Sequence, residues 1–447
     1  MKIWLPLSLR GAQRRSNPHR VSPPGRRLLR YARNDSRGAP SLVLLSAVTA
    51  LAFCALHMVV PALPLLVPVF DDSPARVQLV LTLYLAGIAA GQLVYGPVSD
   101  RFGRRPVLIA GLALFLAGTL LCALAWSLAA LIIGRLLQAL GACAGIVLAR
   151  AIIRDVYDRE AAARGLALVM MAMSLAPAVS PALGAYLAEW FDWRAIFILL
   201  GGLGAIVFAA TVARLPETHF NRVPLDLAGM GRTAVLLFRS PSFIGFALCS
   251  ACTSASWFTF IAAAPQLLAQ ALGEPPSTYG LMILLPMAAY MLGNAAAARF
   301  AMRFGSLRLV IWGRALAFVG AIVMGLWWLV AGLDVWVLFV PIALSSIGDG
   351  LSQPSAMAAG LSIYPRFAGT ASGLMGFTQM IVASLGTFLV ALWPYDSAFG
   401  TIIVVGGFIA FGLGFGIYAV RQPGGSAPPV LGGIVPPQPG PAPAEGS

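Results

Sequence analysis

Residues Gly96 to Arg105 read GPVSDRFGRR, a charged decade wedged between two long apolar runs. One acid and three arginines are too costly to leave in hydrocarbon, so the flanking runs, 77–98 and 106–126, are read as separate elements that deliver this segment to a polar surface. A helix needs roughly 20 apolar residues to cross the ~30 Å hydrocarbon layer, and both runs supply them. Working outward, the same reading places further spans at 42–66, 128–152, 165–188, 194–214, 243–266, 279–298, 308–330, 335–357, 370–392 and 398–420. The expected fold class is an all-α membrane protein of twelve transmembrane helices in two pseudo-symmetric six-helix bundles.

Composition agrees. The 447 residues are 59% hydrophobic and 10% charged, where soluble domains carry about 25% charged residues. A net charge of +14 raises the question of a nucleic-acid partner. The arginines, however, fall in alternate connections between apolar runs and before the first one, which describes membrane topology, so no nucleic acid is expected. The positive-inside rule puts both termini in the cytoplasm. All five cysteines lie in apolar segments; Cys249 and Cys252 spell C-x-x-C without a second pair, which reads as helix packing rather than redox or metal chemistry. Residues 1–40 read as a disordered cytoplasmic tail, and the text RRLLRYARNDS is like translated repeat DNA, so the true start is expected later.

The polar connection RLPETHFNRVPLDLAGMGR, from Arg214, divides the chain: a first six-helix bundle at 41–218, a cytoplasmic linker at 219–240, a second bundle at 241–421 and a tail at 422–447. A repeat supports the cut, because Arg101-Phe102-Gly103 recurs roughly 200 positions later as Arg303-Phe304-Gly305. Two parallel halves of this kind suit a molecule that rocks about a midplane site, with the bilayer and a small solute as partners. Lys2 is the only lysine, so no phosphate-binding P-loop exists, and neither H-E-x-x-H nor G-x-S-x-G occurs. No catalytic residue, metal or cofactor is expected; an ion gradient, here protons, remains as the energy source.

GPVSDRFGRR is more ordered than topology requires: Gly96 permits close helix approach, Gly103 can turn the chain, and Asp100 can pair with Arg101, Arg104 or Arg105. Arg135 lies ~10 Å inside its span with Gln138 one turn on, which favours an interior hydrogen-bonded role over snorkelling. Pro177, Pro181 and Gly184 give a kinked, small-residue face. Taken together, these motifs resemble those of the major facilitator superfamily, and the A-P-x-x-x-P form at Ala176–Pro181, with Ala185 in place of a second glycine, resembles the Bcr/CflA drug-efflux family. The resemblance implies a latch at Gly96, Asp100, Arg101, Gly103, Arg104 and Arg105 that stabilises the outward-facing state, proton transfer at Arg135, and export through the span-5 motif. It also implies an acid where this chain has His57.

An imidazole, with an ordinary pKa near about 6.5, is addressable by a proton gradient; the alternative is a neutral ring bonded to a backbone carbonyl. Asp349, between two glycines at mid-depth, is the other candidate for the proton, or else a neutral link between helices. His57, Arg135 and Asp349 are expected to share proton coupling. Tyr84, Gln138, Trp257, Phe258 and Phe260 are read as an apolar substrate pocket, against the alternative of ordinary core or lipid-facing side chains. The expectation is a monomeric proton-coupled antiporter of drug-like or amphipathic molecules in a bacterial inner membrane. The runners-up are a transporter of an amino acid or other metabolite, and a non-transporting membrane sensor.

Overall fold

The computed structural model describes residues 40–220 and 227–422; apart from Pro40 and Gln422 the two expected tails lie outside these residues, as does 221–226 of the expected linker. Among the described residues there are twelve helices long and apolar enough to cross a bilayer. They are span 1 (Leu42–Phe70), span 2 (Pro74–Phe102), span 3 (Arg104–Ala123), span 4 (Leu128–Val156), span 5 (Arg164–Trp190), span 6 (Trp193–Arg214), span 7 (Pro241–Gln270), span 8 (Pro276–Phe304), span 9 (Ser306–Ala331), span 10 (Val335–Ser362), span 11 (Ala368–Ala391) and span 12 (Phe399–Arg421). Large apolar side chains such as Phe191, Leu329, Val330 and Phe411 point outward, as acyl chains require.

Several helices run past their apolar stretch. Span 2 takes in all of GPVSDRF, so the expected loop shrinks to Gly103 alone, with φ +102°. Asp100 and Arg104, one turn apart, pair across this glycine at 2.6 Å. The echo has the same geometry: Gly305, at φ +83°, separates spans 8 and 9. Arg101 stacks on Phe102 at 5.2 Å as Arg303 stacks on Phe304 at 5.3 Å. Only glycine tolerates such a left-handed turn cheaply. Side-chain caps fix other starts: Ser73, Ser127, Ser240 and Asp334 each accept a backbone amide from the first turn that follows.

Prolines interrupt two spans. Span 1 is helical over Leu42–His57, passes through a 3-10 turn at Val60–Ala62 and resumes at Leu63–Phe70. Pro61 explains the break: it offers no amide to His57 and its ring crowds the His57 carbonyl. Pro286 does the same to Met282, splitting span 8 into Pro276–Met282 and Leu284–Phe304. Spans 5 and 7 continue through Pro177, Pro181 and Pro265 as single helices.

Spans 3 and 4 form one tight seam and spans 9 and 10 another. Spans 2 and 11, 5 and 8, and 1 and 7 join the first six spans to the last six. The connection after span 6 is not purely a polar loop: Leu227–Phe238 is helical and packs on spans 7 and 11, burying Leu237.

Candidate functional site

The break in span 1 decides what Arg135 does. Met58 still donates its amide to the Cys54 carbonyl, but Val59 makes no matching bond to Ala55. The Ala55 carbonyl instead accepts from Arg135 Nη1 at 2.8 Å. The same nitrogen donates to Gln138 Oε1 at 2.6 Å, and Gln138 Nε2 donates to Thr119 Oγ1 at 2.8 Å. The guanidinium carbon lies 3.9 Å from the centre of the Tyr84 ring, and Tyr84 donates its hydroxyl proton to the Ala52 carbonyl at 3.2 Å. Arg135 therefore has the interior role that its depth implied, at 1% exposure. Tyr84 and Gln138, read as pocket residues, are both fully buried and frame Arg135, since a guanidinium removed from water needs a ring face and carbonyl oxygens around it.

His57 sits at the same break. Its Nδ1 donates to the Phe53 carbonyl at 2.9 Å, the bond foreseen in the backbone-bonded alternative. The ring is held between Phe53, at 6.4 Å, and Phe258 of span 7, at 6.1 Å. No hydrogen bond or ion pair joins it to Asp349 among the described residues.

Span 7 divides its aromatics between two sides. Phe258 turns to His57, while Trp257 and Phe260 line a small cavity of about 10 Å³, room for a single water, that Asp349 also walls. Asp349 Oδ1 accepts from Arg314 Nη1 at 2.5 Å; Arg314 also donates to Thr253 Oγ1 at 2.9 Å and to the Ile409 carbonyl at 3.0 Å. A Cβ added at Gly313 would strike the Gly348 carbonyl, and one at Gly348 would strike that of Gly313. Backbone contact at these glycines is what sets Arg314 beside Asp349, each being the next residue along. Arg314 was not foreseen, although a guanidinium well inside an apolar run is the same signal that singled out Arg135. The cavity serines spend their protons on carbonyls: Ser256 on Thr253, Ser345 on Ala317 and Ser346 on Ile342. Towards the cavity they can only accept, as can the second oxygen of Asp349.

The latch residues meet the end of span 6 and the chain just beyond it. Glu217 accepts the Arg104 amide at 2.9 Å and the Arg105 amide at 3.3 Å, capping span 3, and also takes the amides of Thr218 and His219. Burial works to raise the Glu217 carboxyl, but these four amides outweigh it and hold the group below the usual carboxylate range. Arg104 Nε bonds Asp155 at 2.9 Å, and Arg105 reaches the Leu215 and Val212 carbonyls. Arg101 is exposed. Gly96 is half-buried, and nothing lies within 4 Å of where its Cβ would be. These bonds all stay within the first six spans and the chain directly after them.

Pro177, Pro181 and Gly184 are buried in span 5. A Cβ on Gly184 would collide with the Met58 carbonyl, so span 5 rests on the break in span 1. On its other side span 5 meets span 8, where Gly280 abuts Ala182 and the Ser277 amide donates to Glu189.

Sequence comparison matches residues 45–250 and 246–439 to the Major Facilitator Superfamily. The chain is 31% identical over 369 residues to the chloramphenicol resistance protein of Pseudomonas aeruginosa, covering 82% of this chain and 87% of that protein. It is 30% identical over 366 residues to multidrug resistance protein D of Escherichia coli (strain K12), covering 80% and 90% respectively. Among solved structures, that of a D-xylose–proton symporter superposes with a TM-score of 0.70 at 14% identity, over 86% of this chain and 98% of the other.

Proposed function

The chain belongs to the major facilitator superfamily, with the drug-resistance proteins of the Bcr/CflA type as its relatives, and is an integral membrane transporter of small molecules rather than an enzyme; from that premise we propose that it exports amphipathic solutes in exchange for protons by alternating access. The relatives named for resistance to chloramphenicol and to multiple drugs support export. In this reading the chain works as a monomer in a bacterial inner membrane, with both termini cytoplasmic, the halves 41–218 and 241–421 rocking about their interface, and no cofactor beyond the proton gradient.

One observation carries the coupling. Asp349 is the only acid away from the ends of any span, and it faces a cavity whose serines offer only acceptors. A proton delivered there neutralises the carboxylate and releases Arg314 from its partner, a local change that the tight seam between spans 9 and 10 passes to both helices. His57 and Arg135, at the break in span 1, shape the other half of the pathway, and the latch around Arg104 governs the arginine-rich end.

The experiment is flux in proteoliposomes under an imposed pH gradient, with a panel of amphipathic solutes. Accumulation driven by the gradient in the wild type, lost in Asp349→Asn with passive exchange retained, is the expected result. Flux that ignores the gradient in the wild type refutes proton coupling.

A further inference from the structure

Charge is distributed unevenly through the spans. The chain has 16 acidic residues, yet only Asp349 is remote from the span ends, and that carboxylate is already matched by Arg314. Arg135 is a second buried guanidinium with no acid to match it. Its partners among the described residues are the Ala55 carbonyl, the Gln138 amide oxygen and the Tyr84 ring, which supply dipoles and a quadrupole but no net charge. The titratable side chain at the same break is His57, which can add positive charge and never negative.

The interior of the first half therefore carries an uncompensated positive charge. In a low-dielectric interior such a field reaches well beyond hydrogen-bond distance. The Ala55 carbonyl that Arg135 holds is two residues from His57, which meets Phe258 between span 1 of one half and span 7 of the other, on the boundary that a solute crosses when the halves rock. Among the described residues the one acid without a cationic partner that the contacts between the halves hold is Glu189, at the end of span 5 and away from this break, so a cationic solute finds no acid beside His57, whereas an anionic one supplies the charge that the site lacks. The aromatic rings of Phe53 and Phe258, flanking the imidazole, suit an apolar body attached to the anionic group.

We infer that the transported solute is an amphipathic anion, a carboxylate or similar weak-acid anion on an aromatic or aliphatic body, and that quaternary-ammonium amphiphiles are excluded. The inference rests on the transport reading above and names its substrate class.

The test is equilibrium binding to the purified full chain in detergent, with three probes on one naphthyl skeleton: the carboxylate, the amide and the trimethylammonium. The carboxylate should bind at least tenfold more tightly than the ammonium. His57→Glu places an acid at the break and should invert that order, while His57→Gln, equal in size but neutral, should keep it. Arg135→Gln should erase the preference. The inference is overturned if the ammonium binds as well as the carboxylate to the wild type, if the carboxylate does not bind, or if His57→Glu leaves the order intact. Binding needs no gradient, so an anion preference without proton-driven flux would sink the coupling and spare the substrate class, and proton-driven flux of cations would do the reverse.

Discussion

Removing either member of the Arg314–Asp349 pair leaves the other charged in a place that cannot solvate it. Breaking a buried pair in this way costs about 3–5 kcal/mol, whereas replacing both partners with neutral groups of similar shape is close to neutral. Asp349→Asn and Arg314→Gln should therefore each lower the melting temperature in detergent, and the double variant should recover most of the loss. Proton-driven flux should stay absent in the double variant, because stability returns without the titrating group. A double variant that still accumulates solute on a pH gradient would remove Asp349 from the coupling. Glu217 offers a second test at this scale. Its carboxyl is held below the ordinary value of 4.5, so the anionic form contributes stability at neutral pH, and that contribution is lost as pH falls through the depressed value. Glu217→Gln should melt a few degrees below the wild type at pH 7, and the gap should close on acidification below the normal carboxylate range. A gap that is constant with pH would mean that the four amides bond the glutamine amide equally well.

The break in span 1 is an element-scale device with two dependants, since Arg135 takes the Ala55 carbonyl it frees and Gly184 packs on the Met58 carbonyl three residues on. Gly184→Ala would drive a methyl into the Met58 carbonyl, and overpacking of this kind costs about 1–3 kcal/mol. The expected outcome is a lower melting temperature and a smaller monodisperse fraction after extraction, while an equivalent change at Gly202, which faces open space, should be silent. The spans themselves were legible because each needs its own block of apolar residues, and Gly103 was legible because a turn between two long helices needs a residue free to take positive φ. The directions in which Tyr84 and Gln138 point were not. A helix that is apolar all round has no periodicity to fix its rotation, so sequence gives the depth of these residues but not the neighbours they meet, the Ala52 carbonyl for Tyr84 and Thr119 for Gln138. Arg314 was missed although it lies as deep in its span as Arg135, because no recognised motif surrounds it and only contact with span 10 reveals its partner.

For the whole molecule, the two halves are held together unequally at their two ends. Spans 2 and 11 share a buried hydroxyl contact, Thr82 with Thr387 at 2.9 Å, and Ser384 donates to the Thr82 carbonyl at 3.0 Å. At the end away from the arginine-rich connections, Ser277 is bonded to Glu189 and Gly280 lies against Ala182, closing span 8 onto span 5. Towards the arginine-rich end spans 2 and 11 still touch where Gln92 lies against Gly373 and Gly376, but the latch itself bonds only to its own half and the chain just after it, and nothing lies within 4 Å of a Cβ at Gly96. In the rocking cycle proposed above, the contact between spans 5 and 8 belongs to one state, and turnover should open it. Cysteines at Glu189 and Ser277, joined by a short thiol crosslinker, should hold that end shut; the native Cys122, Cys143, Cys249 and Cys252 are buried and Cys54 is half-buried, which limits competing reaction. Crosslinked protein in proteoliposomes should lose flux, reductive cleavage of a disulfide-containing linker should restore it, and each single-cysteine variant treated alike should transport normally. Undiminished flux in fully crosslinked protein would mean that this end stays closed throughout the cycle, and rocking about the interface between the halves would then be the wrong description of transport.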